Sequence, residues 1–248
     1  MSTSRSSNSR IVRELVLANH ILAFENVLDA YGHVSVRNPD NPSTFLMSRS
    51  RSPEIVDPDD IFVHDFAGNV DGMAAKELYR ERFIHAAIFE ARPEVAAVIH
   101  SHADDVLPFS ISKLPLQAVF HAASSIGAQP VPVWDIRTEF GDTNLLVESV
   151  DQGRSLTRSL GDRTMVLMRG HGFAAAGSSL IYLLKMAAAL PRNARILLDT
   201  LHAGGEVVPM SEGEVALRDA TDLSLPAGQR QWEYWCRKLG VAFEPGGY

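Results

Sequence analysis

The chain has 248 residues, with 23 Lys and Arg against 30 Asp and Glu and a formal net charge of −7. The charges are scattered rather than in blocks, which argues against a nucleic-acid surface built on a basic stripe. Its 46% hydrophobic and 21% charged residues are those of an ordinary globular protein, no apolar run approaches the ~20 residues a bilayer requires, and a single cysteine, Cys236, excludes an internal disulfide and fits a reducing compartment.

Residues 1–10, MSTSRSSNSR, are polar with no hydrophobic stretch behind them. They read as a disordered or loosely docked lead-in rather than a secretory signal, and a cytoplasmic location is expected. Residues 11–248 contain no repeats, linkers or low-complexity tracts and read as one α/β domain. Helical spacing at Ile11, Leu15, Ala18, Ile21 and Leu22 predicts a first helix that Gly32 can end. HVSVRN and STFLMS read as strands around an Asn-Pro-Asp-Asn-Pro turn, and IFVHDFAGNVDG as a hairpin ending at a glycine turn. LYRERFIHAAIFEARP predicts a helix stopped by Pro93, VAAVIHSH a strand, and DDVLPFSIS a helix interrupted by Pro108. PVPVWDI reads as a short strand and GRSLTRSLG as an amphipathic helix. TMVLMRGHGFAAAG predicts two buried strands joined at Arg-Gly-His-Gly. A long helix from Leu180 closes at Gly204 and Gly205, and QRQWEYWCRKLG predicts a last helix.

His100 and His102 sit one residue apart at the end of an apolar strand. Side chains at i and i+2 share a face, roughly 7 Å apart along the chain, so both imidazoles can reach one metal ion. The plain alternative is two unconnected core or surface histidines. Catalytic zinc usually takes three protein ligands and keeps a position open, so further ligands are needed. Glu81 and His85 lie four apart on one face of a predicted helix, although Glu81 alone reads as a solvated carboxylate paired with Arg80 or Arg82. His171 stands between Gly170 and Gly172, which packing explains poorly, since glycine lets the backbone turn sharply and approach a ligand. His20, His64 and His202 read as surface or satisfied histidines. Tyr182 and Met186 read as core, and Trp232 and Trp235 as packing or a subunit contact.

Gly32-His33-Val34-Ser35, a helix glutamate, RPEVAAVIHSH and LMRGHGFAAAG, in that order from about residue 11 to 202, resemble the class II aldolase/adducin family. The resemblance implies a three-layer α/β/α fold with a central, mainly antiparallel sheet. It implies one divalent transition metal ion held by His100, His102 and His171, with zinc the first choice and manganese, iron or cobalt also suited. Glu81, nineteen residues before His100, is implied as ligand or acid/base. A C4-symmetric homotetramer with sites at subunit contacts is implied as well.

Departures from the family's sugar-phosphate aldolases narrow the expectation. His33 replaces an asparagine, MSRSRSPE stands where a Thr-Gly pair belongs, and Tyr79-Arg80 replaces paired serines. Those elements make the aldolases' phosphate pocket, so a substrate without phosphate is implied. His121 stands where the aldolases often carry a tyrosine acid, and imidazole titrates near neutrality where a phenol does not. GHVSVR, FLMSRSRSPE, ERFIH and TNLLV resemble a sub-branch of metal-dependent decarboxylases of hydroxypyridine dicarboxylates and dihydroxyphthalates. This implies a lyase for a small aromatic carboxylate, with no nucleic-acid or membrane partner. Glu81, His33 and His121 are the implied catalytic residues. Arg49 and Arg51 could clamp carboxylates as bidentate forks, with Ser48 and His85 beside them as substrate-binding candidates. Two enzyme alternatives stay open: an aldolase on a non-phosphorylated carbonyl substrate and a non-haem iron oxygenase acting on an aromatic acid. A non-catalytic, adducin-like binding protein is disfavoured by the complete metal set.

Overall fold

The structure is a computed structural model that describes residues 9–220 and 227–242. Strands of alternating apolar residues build its centre: β1 (His33–Arg37), β2 (Thr44–Ser48), β3 (Ile61–Asp65), β4 (Ala97–Ser101), β5 (Val133–Trp134), β6 (Met165–Met168) and β7 (Gly172–Gly177). They form one sheet in the order β3-β2-β1-β4-β7-β6-β5. Every neighbouring pair is antiparallel except β5 with β6, which run parallel. The sheet is therefore mixed, and mainly antiparallel as expected. The helices are α1 (Ser9–Phe24), α2 (Arg82–Ala91), α3 (Leu107–Ser110), α4 (Arg137–Phe140), α5 (Val150–Leu160), α6 (Leu180–His202), α7 (Glu212–Asp219) and α8 (Ala227–Leu239).

Period-two alternation divides the core into two layers. On one face Val34, Val36, Ala97, Ile99, Phe173 and Ala175 pack with residues of α1, α6 and α8. On the other, Phe45, Met47, Val98, Val166 and Ala174 pack with Ile84, Ile88 and Phe89 of α2 and Leu156 and Leu160 of α5. The result is the three-layer α/β/α arrangement. Helices α2 and α5 come close because Gly153 has no side chain: a Cβ there would overlap the Phe83 carbonyl oxygen. Trp232 and Trp235 lie inside the first layer, and the Trp235 indole N–H donates to Glu25 Oε1 at 2.9 Å.

Several expectations are corrected. Helix α1 ends at Phe24, not near Gly32, because Asn26 turns left-handed at φ 56°, a conformation asparagine tolerates better than most residues. The hairpin expected at 61–72 is a single strand. Asp65 N–H donates to Asn69 O at 3.0 Å, and Asp65 Oδ1 accepts from Asn69 N–H at 2.7 Å, so the turn closes on itself and the chain leaves for α2. Helix α2 starts at Arg82 instead of Leu78, with Glu81 at its N-cap. The lead-in expected over residues 1–10 lies outside the described residues except for Ser9 and Arg10, which already open α1. Helix α7 was not anticipated, although a reciprocal capping box marks its start: Ser211 Oγ accepts from Glu214 N–H and Glu214 Oε2 from Ser211 N–H. Tyr182 is half-buried, whereas Met186 is core.

His64, expected as a surface or satisfied histidine, is fully buried on β3. Its ring stacks on Phe45 with centroids 5.0 Å apart. Nδ1–H donates to Phe62 O at 3.2 Å, while Nε2 has no partner among the described residues. Burial pushes its pKa down to about 4. Between pH 6.5 and 4 the unfolded chain binds a proton that folded His64 refuses. Stability is therefore full above pH 6.5 and is lost as pH falls toward 4, by ~2–3 kcal/mol from this residue. Urea unfolding at pH 7 and pH 4.5 should show a shallower loss in His64→Phe than in the parent; equal losses would remove His64 from the account.

Candidate metal centre

Strands β1 and β4 pair with His33 opposite His100. His100 is the fourth residue of β4, and His102 follows just beyond the strand's end. The β6–β7 turn returns His171 to the same edge. It can do so because Gly172 runs tight against β4, where a Cβ would overlap the Ser101 carbonyl. Opposite them, Glu81 closes the group from the start of α2. The four residues each offer one ligand atom, and these atoms all lie within 4.8 Å of one another. Glu81 Oε2 is 3.2 Å from His100 Nε2, 3.4 Å from His171 Nε2 and 4.0 Å from His102 Nε2. The Nε2 atoms of His100 and His102 are 3.0 Å apart.

Each imidazole is aimed by an acceptor at its other nitrogen. His100 Nδ1 bonds Phe173 O at 3.0 Å, and His171 Nδ1 bonds Leu145 O at 2.9 Å. His102 Nδ1 meets both Asp29 carboxylate oxygens at 3.1 and 3.2 Å. A proton on each Nδ1 leaves the Nε2 lone pair facing inward, toward a carboxylate. Lone pairs converging at these distances repel one another unless a cation lies among them, so the donor set fits a divalent ion. Nitrogen-rich donors of this kind suit zinc, iron and their neighbours rather than magnesium. Acceptors on the far ring nitrogen are the usual outer support of metal-binding histidines.

The same contacts set the charges. Burial opposes ionisation of Glu81, but the close approach of the three imidazoles, His100 foremost, holds its carboxyl far below the ordinary range. Its Oε1 accepts from Val147 N–H at 2.9 Å. Burial lowers His102, yet Glu81 and Asp29 outweigh it and raise the imidazole above its usual pKa. The fully buried His100 is lowered, burial exceeding the pull of Glu81.

The other expected residues divide. His33 and His85 lie on one buried line: His33 Nδ1 to His85 Nε2 is 2.7 Å, and His85 Nδ1 to Ser35 Oγ is 2.5 Å. Burial first, and neighbouring imidazoles second, hold both histidines well below their usual pKa. His85 was expected to touch substrate. It has no accessible surface and both ring nitrogens are engaged, so it has nothing to offer one. Glu81 and His85 do not share a helix face, since Glu81 precedes the helix. Ser48 Oγ lies 3.5 Å from the Tyr79 hydroxyl, which donates to Arg51 O, and the Tyr79 ring is 4.5 Å from His33. Arg49 and Arg51 both pair with buried Asp60, at 2.7 and 3.1 Å. Arg49 does so through Nε, and its terminal nitrogens are without a hydrogen bond among the described residues. His121 is not brought to the quartet within this chain. It is exposed at the start of a 3₁₀ turn, edge-on to Phe120. A cavity of about 270 Å³ lined by Lys185, Arg192 and Tyr234 involves none of the quartet.

Sequence reasoning passed over Asp29 and, although it singled out Ser35, Tyr79 and TNLLV at 143–147 within its motifs, gave them no role. Asp29 had a legible signal: its Oδ1 also accepts from Tyr31 and Gly32 N–H, at 2.9 and 2.8 Å, a turn typical of aspartate three residues before glycine. Leu145 had none. It sits at φ 67°, uncommon for a residue with a branched side chain, and supplies the carbonyl that aims His171.

Residues 13–198 match the class II aldolase and adducin N-terminal domain, and the chain belongs to that family. Among its relatives it is 36% identical to decarboxylase tropJ of Talaromyces stipitatus, over 92% of this chain and 93% of that protein. It is 26% identical to the 3,4-dihydroxyphthalate decarboxylase of Arthrobacter keyseri, over 82% of this chain and 83% of that one. The fold is that of the L-fuculose 1-phosphate aldolase from Glaciozyma antarctica, with TM-score 0.72 at 21% identity, covering 97% of this chain and 94% of that one. Among the described residues no helix is long and apolar enough to cross a membrane.

Removing a ligand and removing its support should differ in degree. His102→Ala should lose most bound metal on dialysis, measured by plasma mass spectrometry. Asp29→Ala should retain the site with about 10–100-fold weaker affinity in chelator competition. Full metal retention by His102→Ala would dismantle the assignment.

Proposed function

We propose that the protein is a metal-dependent carboxy-lyase acting on a hydroxylated aromatic or heteroaromatic mono- or dicarboxylic acid. The observation that carries this reading is the convergence of Glu81, His100, His102 and His171, set beside a His33–Tyr79–Ser48 wall where sugar-phosphate aldolases place a phosphate pocket. The likeness to tropJ and to dihydroxyphthalate decarboxylases supports the same choice of chemistry. A divalent cation, zinc by preference, supplies Lewis-acid stabilisation of negative charge on a neighbouring oxygen.

The rest falls to the chain's own residues. Breaking the bond between the ring and its carboxylate releases carbon dioxide and leaves an electron pair on the ring, delocalised toward the ortho oxygen. A proton must then reach the ring carbon. Glu81, ionised and anchored by Val147 N–H, faces that centre. His33 borders it from β1, and His121, contributed across a subunit boundary in a homotetramer, would be the acid that delivers the proton. Arg49, with its unengaged terminal nitrogens, would clamp a substrate carboxylate, with Ser48 and Arg51 at its side. Asp60 keeps both arginines in place from the buried side.

Anaerobic carbon dioxide release from ortho-hydroxy aromatic dicarboxylic acids, with added metal, tests the reading. Arg49→Ala should chiefly raise KM, by about 2–5 kcal/mol in binding if a buried carboxylate is left unpaired. His33→Ala should lower kcat by roughly 10²–10³-fold, the loss of one donor to the oxygen that gathers charge. An absolute need for dioxygen would move the protein to the iron-oxygenase reading, and efficient retro-aldol cleavage of a sugar phosphate would refute the argument from the missing pocket. Sedimentation should show a tetramer; a stable, active monomer would remove His121 from the site.

A further inference from the structure

We infer that Ser35 and His85 are positioning residues that lock His33 into a single tautomer, presenting its Nε2–H as a hydrogen-bond donor and denying it the roles of base and metal ligand. His33 and Ser35 are i and i+2 on β1, so both face α2, and His85 in the first turn of α2 lies between them. The line Ser35 Oγ–His85 Nδ1–His85 Nε2–His33 Nδ1 has links of 2.5 and 2.7 Å. Ser35 and His85 are fully buried.

Proton counting fixes the direction of this line. Ser35 Oγ has no other hydrogen-bond partner among the described residues. If His85 Nδ1–H donated to Ser35, the serine's own hydrogen would be buried without an acceptor, an arrangement folded proteins avoid. Ser35 therefore donates to His85 Nδ1. A neutral imidazole carries one N–H, so His85 donates from Nε2 to His33 Nδ1. That nitrogen is then an acceptor, and the hydrogen of His33 must sit on Nε2. Among the described residues His33 Nε2 has no hydrogen-bond partner and is not among the sealed atoms, so its N–H lies at what little surface this buried residue keeps. The ring lies 5.1 Å from that of His100, at the edge of the quartet and not a member of it.

A fixed N–H donor beside a cation site recognises an anionic oxygen, such as a carboxylate or phenolate. Naming that acceptor rests on the proposed carboxy-lyase reading, whereas the tautomer does not. It also assigns His85 a purpose that its lack of surface otherwise obscures.

Neutron diffraction from deuterium-exchanged crystals of the zinc-loaded full chain would test this. Deuterium is expected on Nε2 of both His85 and His33, with the Ser35 deuteron toward His85 Nδ1. Deuterium on His33 Nδ1 would overturn the inference whatever reaction the protein performs. Kinetics supply the second arm. Ser35→Ala should lower kcat for carbon dioxide release on the order of 10–100-fold, with KM and zinc content little changed, and Ser35→Thr should restore it. A loss that threonine does not rescue would mark Ser35 as packing alone and overturn its positioning role. Absence of any decarboxylation by the parent, alongside the expected deuterium pattern, would sink the carboxy-lyase reading and leave the relay standing.

Discussion

A carboxylate nearly out of water is tolerated only when cations or N–H donors answer it, and Glu81 is such a carboxylate. Much of the site's construction serves that requirement. One oxygen takes the Val147 amide; the other looks at three imidazole nitrogens. Those imidazoles in turn are held by Phe173 O, Leu145 O and the Asp29 carboxylate. The quartet is thus poorly satisfied by itself and well satisfied around a positive charge, which is the electrostatic condition of a metal site. Leu145 accepts an uncommon backbone conformation to supply one of these acceptors, and strain of this sort is retained where surrounding structure over-determines it.

The sheet makes the arrangement possible. Its α2-facing side carries His33, Ser35 and His100 next to Phe45, Met47 and Val98, so polar groups lie within an apolar layer. Such groups are costly unless each finds a partner, and the partners come from α2: His85 for the β1 pair and Glu81 for His100. Register holds the pattern, because a one-residue slip between β1 and β4 would turn these side chains to the opposite face. The buried apolar residues on both sides of the sheet provide the burial that keeps this polar seam closed.

The family's common metal centre and the surroundings that distinguish this chain are carried by separate parts of the fold. The quartet comes from β4, the β6–β7 turn and the start of α2. The wall facing it comes from β1, the end of β2 and Tyr79. Residues of such a wall can vary while the quartet stays the same, which is how one fold comes to host different reactions. Asp60 illustrates the point: one buried carboxylate orients two arginines, at 2.7 and 3.1 Å, outside the quartet altogether.

Local pattern was enough to read much of the layered fold and the four ligand candidates. Period-two alternation marks β1, β2, β4, β6 and β7; 3.6-residue spacing marks α1, α2 and α6; and His100, His102 and the glycine-flanked His171 stand out because packing alone does not call for them. Other features could not be read this way. The end of α1 depended on the left-handed turn at Asn26, and His85, a helix residue like any other in the sequence, proved to be sealed behind His33 once β1 and α2 packed. Asp29 and Leu145 act on His102 and His171 across 73 and 26 residues, and Leu145 does so through its backbone carbonyl, which every residue possesses. Sequence by itself determined which side chains could bind a cation and which faces would be buried, since both follow from residue type and local period. Tertiary structure alone decided how those side chains are aimed and which histidines remain accessible, because hydrogen-bond partners and burial are properties of neighbours that the chain brings together only on folding.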